Sequence, residues 1–193
     1  MIKVVLASAS PRRLDLLSQI GVRFEVRVPD IDESPMDGEE PTAYVRRLAK
    51  AKADAVTSAP DELVIAADTT VDLESMIMGK PSDDHDARSM LRRLSGQTHR
   101  VHTGVALRLA DQEVVDVCTT SVSFVLLDEA TIDWYVATGE PLGKAGSYAL
   151  QGAGAALVSA VEGSVSNVIG LPLHLVVDLA GRLGGALLTA ATG

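Results

Sequence analysis

Two arginines, Arg12 and Arg13, follow Ser8-Ala9-Ser10-Pro11 where a helix should begin, since Ser10 suits an N-cap and Pro11 the first helical position. Cations in a first turn oppose the helix dipole by roughly 0.3–1 kcal/mol each, so the pair points to an anion bound beside them. Free N–H groups at a helix start already attract phosphate, and guanidinium groups add bidentate oxygen recognition. Further charges fall at the edges of expected elements: Glu33 in the acidic loop 30–34, Lys52 on a helix, Asp68 after an apolar run, and Lys80 in Gly79-Lys80-Pro81. Four cations and two carboxylates suit a triphosphate of roughly four negative charges together with a divalent metal held on hard oxygens. Taken one by one, the arginines also read as a solvated salt-bridging pair, and Glu33 and Asp68 as solvated loop acids.

The elements that must position these residues alternate between strand-like and helix-like stretches, which indicates an α/β fold. Residues 2–7 read as a buried strand feeding the arginine helix, and Phe24 to Val28 as a second strand. A helix is expected from about Thr42 to Thr57. Its apolar stripe Val45, Leu48, Ala55 and Val56 places Lys52 inward, where an ammonium needs an anion or a path to water. Lys50 points outward. Leu63 to Ala67 is a continuous apolar strand ending in Asp68-Thr69, and strand C-terminal ends line ligand clefts in α/β sheets. A helix capped by Ser82 carries the stripe Ala87, Met90, Leu91, Leu94 and stops at Gly96. Residues 98–109 and 114–127 read as long strands joined in a hairpin, with helices near 129–137 and 172–183. The final 185–193 is small and uncharged and is expected to fray or to extend the last helix weakly.

Composition narrows the function classes. The 193 residues are 47% hydrophobic and 22% charged, which excludes a disordered chain and suits one domain, expected over 1–184. A net charge of −9 argues against nucleic-acid and anionic-membrane binding, and a cytoplasmic protein without a membrane span is expected. Cys118, the lone cysteine, reads as a buried thiol. His99 and His102 are three apart in a strand, so they face opposite sides and do not chelate one metal; His85 and His174 have no evident partners. No Walker sequence occurs, and Gly152-Ala153-Gly154 lacks the third glycine of a dinucleotide fingerprint and precedes a strand. Asp30-Ile31-Asp32 after a strand is a fragment of the aspartyl-nucleophile phosphatase pattern, of which Lys52 or Lys80 supplies only part.

Six strings resemble, in order and spacing, the Maf family of nucleoside triphosphate pyrophosphatases over about Leu6 to Leu173: Leu6 to Arg13, Ala67-Asp68-Thr69, Gly79-Lys80-Pro81, Leu94 to His99, Lys144 to Gly152, and Val168 to Leu173. The resemblance implies a mixed central sheet flanked by helices with two lobes around a cleft, the Maf/ITPase-like arrangement. It implies hydrolysis of a nucleoside triphosphate to monophosphate and diphosphate. Asp68 matches the proton acceptor, Ser8, Arg13, Lys52 and Lys80 the phosphate-side positions, and Glu33, with Asp68, the Mg²⁺ or Mn²⁺ site. Arg12, Thr69 and Gln151 match the branch acting on dTTP and UTP, and the Gln151 amide offers both a donor and an acceptor to the imide edge of thymine or uracil. Gly143 and Val165 depart from the usual aspartate and tyrosine. The resemblance also implies a homodimer, and offers a nucleotide-binding regulator of division or septum formation as the alternative to the enzyme.

Overall fold

The computed structural model describes residues 2–188. Its strands are β1 (Lys3–Ala7), β2 (Phe24–Val26), β3 (Glu62–Leu73), β4 (Met76–Met78), β5 (Thr98–Leu109), β6 (Gln112–Phe124) and β7 (Val158–Glu162). The helices are α1 (Pro11–Gln19), α2 (Pro41–Asp54), α3 (Asp84–Leu94), α4 (Glu129–Ala137), α5 (Val165–Ile169) and α6 (Leu173–Arg182). One seven-stranded sheet has the order β2-β1-β3-β5-β6-β7, with β4 added to β3. β1 runs parallel to β2 and β3, whereas β3, β5, β6 and β7 are successively antiparallel. This is the mixed sheet flanked by helices that the sequence implied.

The long strand β3 divides the molecule into its two lobes. β1 pairs with it as far as Ala66, and β4 pairs with it from Val71. Between them one edge of β3 has no strand neighbour, and there the lobes part around a cleft of about 710 Å³. On one side lies a two-faced core. Leu63, Ile65 and Ala67 pack toward α1 and α6 with Leu16, Leu17, Val176 and Leu179, while Val64 and Ala66 pack toward α2 with Ala49 and Ala53. On the other side, Val71, Leu91, Leu94, Ile132 and Tyr135 form a second core under α3 and α4. Each fully buried aliphatic side chain in these layers contributes about 1.5–3 kcal/mol by removal from water.

Several boundaries differ from expectation for identifiable reasons. β3 does not end at Asp68-Thr69; it continues to Leu73 because β5 supplies antiparallel partners throughout, from Leu63↔Leu109 to Asp72↔Arg100. The strand after Arg23 is only Phe24–Val26, since β1 offers it three pairing positions. α2 starts one residue earlier, with Pro41 in its first turn, and ends at Asp54. Asp83, not Ser82, caps α3, its carboxylate accepting from the Asp86 N–H at 2.8 Å. β6 stops at Phe124, and Asp128 caps α4. Cys118 is half-buried on β6. Residues 185–188 do not extend α6: the Gly185 N–H bonds Ala180 O at 2.9 Å, and Leu187 packs on the first core. The remainder of that tail, 189–193, lies outside the described residues. Among the described residues no helix is long and apolar enough to cross a membrane.

Candidate active site

Strand alternation explains why the site assembles where it does. Even positions of β3 face α2 and odd positions face α1, so adjacent residues Asp68 and Thr69 are delivered to opposite helices. Asp68 meets Lys52, which lies on the buried stripe of α2 with Val45, Leu48 and Ala49. Lys52 Nζ stands 2.7 Å from Asp68 Oδ1 and 2.7 Å from Glu33 Oε1, bridging the two carboxylates. Lys52 is 7% exposed and Asp68 7% exposed, so this pair is shielded, while Glu33 reaches in from an exposed loop. Tyr44 on α2 steadies that loop by donating to Glu33 O at 2.9 Å.

Thr69 meets Arg13. The Arg13 guanidinium donates to Gly170 O at 2.8 Å, Thr69 Oγ1 at 3.0 Å and Ser8 Oγ at 3.3 Å. All three acceptors are neutral, which leaves a buried cation with no hydrogen-bonded carboxylate to balance it. Thr69 Oγ1 also bonds Thr103 Oγ1 at 2.9 Å, and Thr103 donates to Asn167 O at 3.2 Å. The buried Asn167 amide in turn donates to Val101 O and Thr120 Oγ1. Arg13 is thus held by a polar network that reaches across β5 and β6.

Electrostatics follow from this placement. Burial acts to raise the Glu33 carboxyl, but the hydrogen bond and charge of Lys52, with Lys80 and Arg13 adding, outweigh it and hold the group below the usual carboxylate value. Burial lowers the Arg13 guanidinium, opposed by Asp68 and Glu33. Burial, then the negative charges of Asp68 and Glu33, push the Tyr44 phenol up to about 12. Arg12 is half-buried in the cleft wall, and its buried Nε has no hydrogen-bond partner among the described residues.

Ser8, Arg12, Arg13, Glu33, Lys52, Asp68, Thr69, Lys80 and Gln151, gathered from six segments, all line this one cleft. Lys80 is exposed at its rim. Ser10 occupies the N-cap of α1 as expected, yet its side chain makes no capping bond; its N–H instead donates to Ser8 Oγ at 3.2 Å. His99 and His102 face opposite sides, His99 Nε2 lying 2.9 Å from Tyr148 Oη and His102 between Asp72 and Thr119. Among the described residues no cluster of three or more His, Cys, Asp or Glu could hold a metal. Lys50 is engaged outside the cleft by Asp54 and Glu113.

Sequence reasoning did not single out Tyr44, Thr103, Asn167 or Lys144. Lys144 is half-buried on the cleft wall, and its ammonium is lowered by burial and by the charge of Arg12. Its position in the string Lys144 to Gly152 was the available signal.

The family description "Maf-like protein" matches residues 3–183. The chain belongs to the Maf family. This Maf protein is 53% identical over 182 residues to a protein of Myxococcus xanthus called a dTTP/UTP pyrophosphatase, covering 94% of this chain and 92% of that one. It is 45% identical over 194 residues to the protein of the same description from Symbiobacterium thermophilum, with both chains covered in full. Among solved structures, a HAM1 protein from Coxiella burnetii overlaps 64% of this Maf chain and 73% of its own, at 18% identity and a TM-score of 0.46.

Proposed function

We propose that the protein is a nucleoside triphosphate pyrophosphatase that hydrolyses dTTP and UTP to the monophosphate and diphosphate. The observation that carries this reading is the buried Lys52–Asp68 pair at the gap between β1 and β4, with the carboxylate-free cation Arg13 beside it. The description of the Myxococcus and Symbiobacterium relatives as dTTP/UTP pyrophosphatases agrees with it.

In this reading the triphosphate lies among Ser8, Arg13, Lys52 and Lys80, which share its charge. Lys52 occupies Asp68 Oδ1, so Oδ2 is the oxygen that takes a proton from water. The water oxygen bonds the α-phosphorus, the α–β bridging bond breaks, and diphosphate leaves with the electron pair, stabilised by the surrounding cations. Glu33 and Asp68 are the residues that would hold Mg²⁺ or Mn²⁺: they are the carboxylates that line the cleft, and hard oxygen donors of this kind suit such an ion. Bound there, the ion supplies charge neutralisation on the phosphates.

Arg12, Thr69 and Gln151 are assigned to nucleotide choice. The Gln151 amide, exposed toward the cleft, meets the base edge, and once covered by the base it disfavours one that leaves it unpaired. Thr69 contributes by fixing Arg13, with which it shares a hydrogen bond. Residues 1–184 act as one catalytic unit, and the protein works as a cytoplasmic homodimer, for which light scattering after size exclusion returns about twice the 20.2 kDa chain mass. The decisive assay offers dTTP, UTP, CTP and 7-methyl-GTP with Mg²⁺ or Mn²⁺. Diphosphate with dTMP or UMP is the expected product pair; orthophosphate with dTDP would overturn attack at the α-phosphorus.

A further inference from the structure

Outside the phosphate-side residues, the densest polar arrangement is built on Glu140, which follows α4. Its Oε1 accepts from the Tyr135 hydroxyl at 2.8 Å and from the Gly154 N–H at 2.9 Å, and its Oε2 accepts from the Ala153 N–H at 2.9 Å. The Tyr135 hydroxyl, on a fully buried ring, accepts in turn from the Ala149 N–H at 3.1 Å. One carboxylate and one phenol therefore bind the backbone of a loop at 149, 153 and 154. The crown of that loop is Gln151, exposed and facing the cleft.

The fit leaves no slack. A Cβ on Gly152 would overlap the Glu140 carboxylate, and a Cβ on Gly154 would come within 2.7 Å of Tyr135 Oη and of Ala149 O. Gly152 has φ −126°, so backbone angle does not require glycine there; the close approach of Glu140 does.

We propose that Glu140 and Tyr135 are positioning residues for base recognition, holding loop 149–154 in the form that presents Gln151 to the pyrimidine. This rests on the reading of the cleft as a dTTP and UTP site with Gln151 at the base. All three bonds to Glu140 need an acceptor, which the ionised carboxylate provides at both oxygens. Burial opposes that ionisation, but the Gly154 N–H, the Tyr135 hydroxyl and the Ala153 N–H outweigh it. Neither residue is placed on the phosphates, so loosening the loop should weaken recognition of the base and leave phosphate binding alone.

The test compares Glu140→Gln, Tyr135→Phe and Gln151→Ala with the wild-type protein. Diphosphate release is measured from dTTP, UTP and CTP, and inorganic tripolyphosphate serves as a competitive inhibitor that has no base. In Glu140→Gln one acceptor oxygen becomes a donor facing a backbone N–H. KM for dTTP and UTP should rise about tenfold, preference over CTP should fall as it does in Gln151→Ala, and tripolyphosphate inhibition should be unchanged. Tyr135→Phe, which removes the hydroxyl but keeps the packed ring, should move the same quantities in the same direction. Preference retained in both variants but lost in Gln151→Ala overturns the proposal and leaves the Gln151 assignment standing. Loss of tripolyphosphate inhibition in step with nucleotide affinity also overturns it, as a general structural role would. If Gln151→Ala keeps the wild-type preference, both assignments fall, and if wild type releases no diphosphate the reading of the cleft falls first.

Discussion

Arg13 and Lys52 are both buried cations, yet their surroundings are opposite, and this contrast predicts how each responds to substitution. Arg13 donates to three neutral acceptors in a fork, a geometry a lysine ammonium does not reproduce. Arg13→Lys should lower kcat/KM by about 10²-fold or more even though the charge is kept, as steady-state kinetics would show. Asp68→Asn keeps the shape and removes the proposed proton acceptor. It should lower kcat by about 10²–10⁴-fold while calorimetric nucleotide affinity persists; unchanged turnover would remove Asp68 from the mechanism. The residue types were legible from the sequence because Lys52 breaks an apolar stripe and Arg12-Arg13 breaks the dipole rule. Their partners were not, since Ser8, Thr69 and Gly170 lie up to 157 positions from Arg13 in the chain.

At the level of elements, the position of α2 against the sheet decides where Lys52 points. Gly104 on β5 lies directly beneath α2, and a Cβ there would collide with Val45 O on the helix backbone. Gly104→Ala should therefore lift α2, costing about 1–3 kcal/mol in thermal or denaturant unfolding. It should also reduce activity in the fraction that remains folded, since Lys52 moves with the helix. Pairing between elements also sets the end of β3. The apolar run 63–67 marks where the strand is covered on both faces. Its continuation through Asp68-Thr69-Thr70 depends on pairing with Gly104, Thr103 and His102 of β5, distant partners that local pattern cannot supply. β5, α4 and α6 were legible to within a residue, because each is a local pattern bounded by turn residues, whereas β6 starts and stops two to three residues before its expected bounds.

Across the whole molecule, the second core should respond to acid through His99. His99 packs edge-on against Phe124 and Tyr148, and burial holds its imidazole down at about 4, from an ordinary 6.5. Between those values the unfolded chain binds a proton that the folded chain refuses. The neutral histidine's contribution is therefore complete above about pH 6.5, is lost as pH falls toward 4, and changes no further below it. The unfolding temperature of wild type should fall more steeply between pH 7 and 4.5 than that of His99→Phe; parallel slopes would contradict a buried neutral histidine. Because Tyr148 also lines the cleft, this core and the base end of the site should loosen together.

The amino-acid sequence by itself determined the chemistry available to this protein: an α/β alternation, an arginine pair at a helix start, an inward lysine, an acid after an apolar run, and six strings shared with the Maf family. These are properties of local order, in which side-chain period and turn residues act over a few positions. Only the tertiary structure decided which charges meet. A period of two along β3 sends Asp68 to α2 and Thr69 to α1, and the gap between β1 and β4 opens the edge of the strand where they lie. The Glu140 clamp on the Gln151 loop likewise requires α4 and residues 149–154 to fold against each other. Backbone donors carry no sequence signature, so the arrangement that holds them is visible in three dimensions alone.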